Sequence, residues 1–266
     1  TNFYEIPKYQ RPYVWKKGTQ VVDFWEDLIF QYEQEIKYNN ETKTNLFLGT
    51  LILNKKKDDK FLVVDGQQRM TTIFILLVAI RNYLQNQLSD PTNNFSSEEL
   101  SVARNQLANI HPFISSSNLA LGTTDESRLS ASPLIKPTIE AMSDHNWTLP
   151  FTEELDGYKE VSPIYNFFTK MIIEDTKIEN FGSFLTALYN SSCIVINIED
   201  MEEAYNLFER TNARGQALTV SDLLKNHLFA KGNDEKISEF WDEITEDSGT
   251  GLTKMLRYFY VSRQGY

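Results

Sequence analysis

Residues 65–69 read Asp65-Gly66-Gln67-Gln68-Arg69, a run whose amides and guanidinium could handle an anion. Before it, Phe61, Leu62, Val63 and Val64 form a short apolar stretch with the pattern of a buried strand, which Asp65-Gly66 breaks. After it, Met70, Ile73, Phe74, Leu77, Ile80, Leu84 and Leu88 fall at helical spacing. The run is therefore expected on a tight strand-to-helix turn. A helix N-terminus carries unpaired N–H groups and partial positive charge, which favours acidic side chains in its first turn. Here that turn holds two glutamines and an arginine. Two readings stay open. In one, an anion, most simply a phosphate, sits between Arg69 and the turn, where Gly66 permits close backbone approach and the Gln67 and Gln68 amides stand beside it. Asp65 could then hold a divalent cation or orient a water. In the other, Asp65 caps the helix and pairs with Arg69 four residues on.

Two further constellations could join such a site. Tyr9-Gln10-Arg11-Pro12-Tyr13-Val14-Trp15 is extended, because the residue before a proline is pushed out of helical conformation. Its aromatics could stack on a nucleobase while Arg11 meets phosphate, or could simply pack onto the core. The second runs over residues 208–226, a helix, a polar loop with Asn212 and Gly215, and a helix with Asp222 and Lys225. Thr219 and Asp222 fit a capping box, while Arg210, Asn212 and Arg214 add donors near the second helix start.

The elements that must carry these groups indicate an α+β fold, a small mixed sheet with many helices. Residues 1–88 hold the turn, a strand over 46–53 and a helix whose core side is Val21, Val22, Phe24, Trp25, Leu28 and Ile29. Residues 89–190 read as a helical insertion, with helices near 98–110, 134–143, 163–176 and 181–189 and a loop over 115–132. In residues 191–266, positions 193–198 are expected as a returning strand buried on both faces, followed by a helix opened by Asp200 and Glu203. A mostly helical remainder completes the same domain.

Composition narrows the function. The chain has 266 residues, 41% hydrophobic and 24% charged, with a net charge of −11 that argues against generic duplex binding through bulk charge. No apolar run approaches the roughly 20 residues needed to cross a bilayer, and the opening residues carry no signal-peptide pattern. The single cysteine, Cys193, rules out an internal disulfide, points to the cytoplasm, and is expected as inert core. Thr1 in the place of an initiator methionine suggests a piece of a longer protein. There is no Walker A loop, no G-x-G-x-x-G after a strand and no His-Glu-x-x-His zinc helix. His111, His145 and His227 lie far apart and are expected as surface or capping residues.

Taken in order, Ile6-Pro7-x-Tyr9-Gln10-Arg11-Pro12-Tyr13-x-Trp15, the stretch Phe47-Leu48-Gly49-Thr50-Leu51-Ile52-Leu53, the run Val64-Asp65-Gly66-Gln67-Gln68-Arg69-Met70-Thr71-Thr72 and Asn212-x-x-Gly215-x-x-Leu218-x-x-x-Asp222-Leu223-Leu224-Lys225-Asn226 form one pattern. It resembles the N-terminal domain of GmrSD-type modification-dependent (type IV) restriction proteins, which looks like a ParB/sulfiredoxin-like fold. Met70 stands where leucine is commoner in that family. The resemblance implies a phage-defence sensor domain that binds and hydrolyses a nucleoside triphosphate, GTP or ATP, with Mg²⁺. It implies a His-Asn-His-type nuclease domain outside these residues that cuts foreign modified DNA, and it leaves room for a homodimer. No nuclease motif is present here. On this reading Asp65, Gln68 and Arg69 are catalytic and Asp65 holds the metal. Gly66, Gln67, Arg69, Arg11, Tyr9, Gln10, Asn212, Gly215 and Lys225 bind the nucleotide. The alternative is a non-catalytic module for DNA or modified bases in which Tyr9, Tyr13 and Trp15 stack on nucleic acid; a scaffold without chemistry is a third.

Overall fold

In a computed structural model of the chain, the strand ahead of the turn, β3 (Lys60–Asp65), lies at the centre of a mixed sheet. The residues described are 2–7, 10, 12–38, 45–56, 59–92, 96–116, 126–132, 134–144, 147, 155–175, 178, 181–212, 224–225, 228, 236–237, 239–241, 243–244 and 251–264. Within them β3 pairs antiparallel with β2 (Phe47–Lys55) and parallel with β1 (Phe3–Glu5). The edges are β4 (Leu129–Ser130), parallel to β1, and β5 (Ser192–Asn197), parallel to β2.

Side-chain alternation sends successive β3 residues to opposite faces. Val63, opposite Leu53 of β2, enters the main core, whereas Val64 and Ile52 join Ala204 and Phe208 of α7 (Met201–Asn212) on the other side. The main core is helical: α1 (Gln20–Lys37), α2 (Gln67–Ser89), α3 (Ser97–Ile114), α4 (Lys136–Ser143), α5 (Tyr158–Glu174) and α6 (Phe181–Tyr189). Helix α2 is its axis. With α3 and α5 packed against it, every residue from Phe74 to Arg81 is buried, so α2 is more enclosed than its amphipathic spacing suggests. Asn82 of α2 donates to the Tyr165 hydroxyl of α5 at 2.9 Å, a buried polar tie between the two. The block 89–190 thus shares its core with 1–88 and also supplies β4. A capping box between Ser96 and Glu99 fixes the start of α3. Farther on, Trp241 and Leu252, at the start of α8 (Leu252–Gln264), make a small separate cluster with Met201 and Leu224. None of the described helices is long and apolar enough to cross a membrane.

The architecture is α+β, as expected, with three local corrections. Residues 193–198 are not buried on both faces: β5 is an edge strand, and Ile194 and Val195 are 54% and 46% exposed. An apolar run has the same spelling at a sheet's centre and at its edge. Cys193 is consequently an exposed thiol rather than inert core. A thiol-reactive aromatic disulfide should modify it in the folded chain within about tenfold of the rate for the denatured chain; protection by several orders of magnitude would contradict the edge placement. Lastly, within the 115–132 segment expected as a loop, Ser115 bridges Ser127 and residues 129–130 extend the sheet through β1.

Candidate functional site

Gly66 forms the N-cap of α2 with φ 96°, a left-handed conformation. A Cβ there would displace the end of the Leu51 side chain on the neighbouring strand, but it is the positive φ that calls for glycine. Among the described residues no side-chain cap bond is made at this N-cap, which as glycine has no side chain to offer. Asp65 therefore ends β3 rather than capping α2, and among the described residues it makes no ion pair with Arg69. The capping-and-pairing reading of this turn is not what the chain does.

Arg69 turns instead to β2. Its Nη1 donates to the Leu48 carbonyl and its Nη2 to the Thr50 carbonyl at 2.8 Å. Between those two residues Gly49 has φ 84°, and the pairing register with β5 shifts between Phe47 and Thr50. This irregularity lets two carbonyls of one strand converge on a single guanidinium, a fork geometry that a lysine ammonium lacks. A Cβ on Gly49 would overlap Arg69 Nη1.

The two glutamines are buried, each 6% exposed, and each has internal partners. Gln68 Oε1 accepts from the N–H groups of Val14 (2.9 Å) and Trp15 (3.3 Å), and its Nε2 donates to the Pro12 carbonyl at 3.0 Å. Residues 12–15 are thereby tied across the first turn of α2. Gln67 Nε2 donates to Gln10 Oε1 at 3.0 Å, and Gln10 Nε2 donates to the Val64 carbonyl at 2.6 Å. Tyr13 packs beneath, its hydroxyl 2.7 Å from Thr72 Oγ1, which donates to the Gln68 carbonyl. Burial pushes the Tyr13 phenol up to about 12, so it remains neutral near neutral pH.

These residues enclose a cleft of about 200 Å³ lined by Gln10, Trp15, Asp65, Gly66, Gln67, Gln68, Arg69 and Phe208. All five residues of the central motif line it. Trp15 and Phe208 were legible in the sequence only as aromatics on an extended segment and a helix; that both border this cleft follows from the fold. Tyr9, Arg11 and Gly215 lie outside the described residues. Asn212 ends α7, the helix that contributes Phe208. Lys225 does not line the cleft; its Nζ lies 5.9 Å from the centroid of the Trp241 ring, in the C-terminal cluster. Among the described residues no group of three His, Cys, Asp or Glu side chains could hold a metal ion. Among the described residues lining the cleft, Asp65 is the single carboxylate.

No curated protein matches the chain. Over residues 1–229 it matches the family described as GmrSD restriction endonuclease, N-terminal domain, a span that includes the whole cleft. The chain belongs to the GmrSD restriction endonuclease N-terminal domain family, and so is part of a restriction system.

Proposed function

We propose that this chain is the nucleotide-binding and NTP-hydrolysing module of its restriction system. The observation that supports it is the cleft in which Asp65, Gly66, Gln67, Gln68 and Arg69 meet at a helix N-terminus without a side-chain cap. Its 200 Å³ falls below the roughly 300–1,000 Å³ typical of whole small-molecule sites, so it suits the phosphate end of a nucleotide. The base would reach past it, toward Trp15 or Phe208.

Two bonds to β2 hold Arg69 in place while leaving further donors of its five for phosphate oxygens. Gln68 acts through position: its three bonds to residues 12–15 fix the wall of the cleft. Gln67 orients Gln10. Asp65 orients the attacking water and accepts its proton as the bond to the terminal phosphorus forms and the bridging P–O bond breaks. Mg²⁺ commonly takes one or two carboxylates together with substrate phosphates, so a lone Asp65 is a suitable donor set. When bound, the ion would neutralise phosphate charge. Tyr9, Arg11, Asn212 and Gly215 belong to the same proposal as closing and contacting residues. DNA cutting lies with a His-Asn-His-type nuclease domain outside these residues, acting on foreign modified DNA.

Phosphate release from GTP and from ATP with Mg²⁺, without and with plain or modified DNA, tests this. Release without DNA by the chain, lost in Asp65→Asn, is expected. DNA binding unaffected by either triphosphate, with no phosphate released, would favour a DNA or modified-base module in which Trp15 and its neighbours stack on nucleic acid.

A further inference from the structure

The two edges of the sheet differ. β4 spans two residues, and so short an edge offers little to a further strand. β5 spans six, Ser192-Cys193-Ile194-Val195-Ile196-Asn197, with no charge and no proline to discourage pairing. Its apolar side chains stand in water: Ile194 is 54% and Val195 46% exposed, and Ser192, Cys193 and Asn197 are exposed as well. Among the described residues β5 pairs with β2 alone. The Ser192 N–H donates to the Leu46 carbonyl at 2.8 Å and the Ile198 N–H to the Leu53 carbonyl at 2.9 Å. Alternate residues of a strand direct their backbone groups to opposite sides. The even positions therefore bond β2, while Cys193, Val195 and Asn197 present N–H and C=O to the open edge.

We propose that this edge binds the β5 edge of a second copy of the chain, antiparallel, with Val195 on the two-fold axis. The open backbone groups choose the register, because only residues that both face outward can exchange bonds. Setting Val195 opposite itself puts Cys193 opposite Asn197 of the second copy, so every outward residue of the strand is paired. Moving the axis to Ile194 would carry Asn197 past the strand's end, opposite Ser191. In the chosen register Ile194 meets Ile196 of the second copy, one β-branched side chain against another. Glu199 and Asp200, the acidic residues that follow the strand, fall opposite Ser191 and Asn190, so no like charges meet along the seam. The strand is thus complementary to itself, as an isologous contact requires, and pairing removes the exposed edge from both copies. The inference stands apart from the nucleotide reading.

Sedimentation velocity of the 266-residue chain over about 1–500 µM tests it; a seam this small should give a dimer with a dissociation constant of about 10–100 µM. Each copy carries a net charge of −11 while the seam is uncharged, so added salt should strengthen the dimer. Val195→Lys sets like charges face to face at the axis and should weaken association at least tenfold. Val102→Lys, at a position on α3 that is 49% exposed, should associate as the parent does. Circular dichroism checks that both variants fold. Oxidised glutathione reads the register. Val195→Cys combined with Cys193→Ser puts the two thiol-bearing residues about 5.5 Å apart, Cα to Cα, and should give a disulfide-linked dimer. Native Cys193 lies roughly 13 Å along the strand from its counterpart and should not. A monomer at every concentration, a dimer that Val195→Lys leaves intact, or linkage through Cys193 as readily as through Val195→Cys would overturn the proposal.

Discussion

Arg69→Ala is expected to abolish nucleotide binding and to lower the unfolding free energy by about 2–3 kcal/mol. The two effects share one geometry. The guanidinium donates to the carbonyls of Leu48 and Thr50, and removing it leaves both acceptors without that partner in a partly buried place. Charge-assisted bonds of this kind contribute roughly 1.5–3 kcal/mol each, and partial solvation of the site reduces their sum. The ligand effect is larger in relative terms, because among the described residues lining the cleft Arg69 is the one guanidinium. Arg69→Lys separates the terms. A lysine keeps the charge and can satisfy one carbonyl, so it should recover more stability than affinity. Urea unfolding and calorimetry on both variants read the two quantities independently.

Gly49→Ala, a change of one methyl group on the neighbouring strand, should produce a similar functional loss with Arg69 still present. At φ 84° an alanine is strained by about 1–2 kcal/mol, and its Cβ would overlap Arg69 Nη1. Either the β2 irregularity straightens, separating the two carbonyls, or the guanidinium leaves them. The expected destabilisation is about 2–4 kcal/mol, with phosphate release lost. Gly18→Ala is the control. No atom lies within 4 Å of a Cβ placed there, and its unfolding free energy should change by less than about 0.5 kcal/mol. Wild-type phosphate release in Gly49→Ala would show that the β2 clamp on Arg69 does not matter to the site.

Much of the frame around the site was readable from local pattern. The β3–turn–α2 unit, β2, α1 and the bounds of α6 follow from apolar periodicity and from glycine placement. Long-range pairing was not readable. Arg69 looked like a residue facing an anion or Asp65, and its actual partners come from a strand twenty residues earlier whose bulge depends on Gly49. Gln67 and Gln68 announced spare amides, yet burial commits both to Gln10 and residues 12–15. Lys225, in family order with the motif, sits against Trp241 instead of in the cleft. Edge position, which exposes Cys193 and Ile194, depends on which strands pair and has no local signature.

The most direct test of nucleotide handling at this turn is an isothermal titration of GTP and of ATP, each with Mg²⁺, into the wild-type chain and into Arg69→Ala at a temperature where both are folded. Saturable one-site binding of at least one triphosphate to the wild type, with none to Arg69→Ala, is the expected result. No binding of either triphosphate by the wild type, or equal affinity in Arg69→Ala, would contradict it.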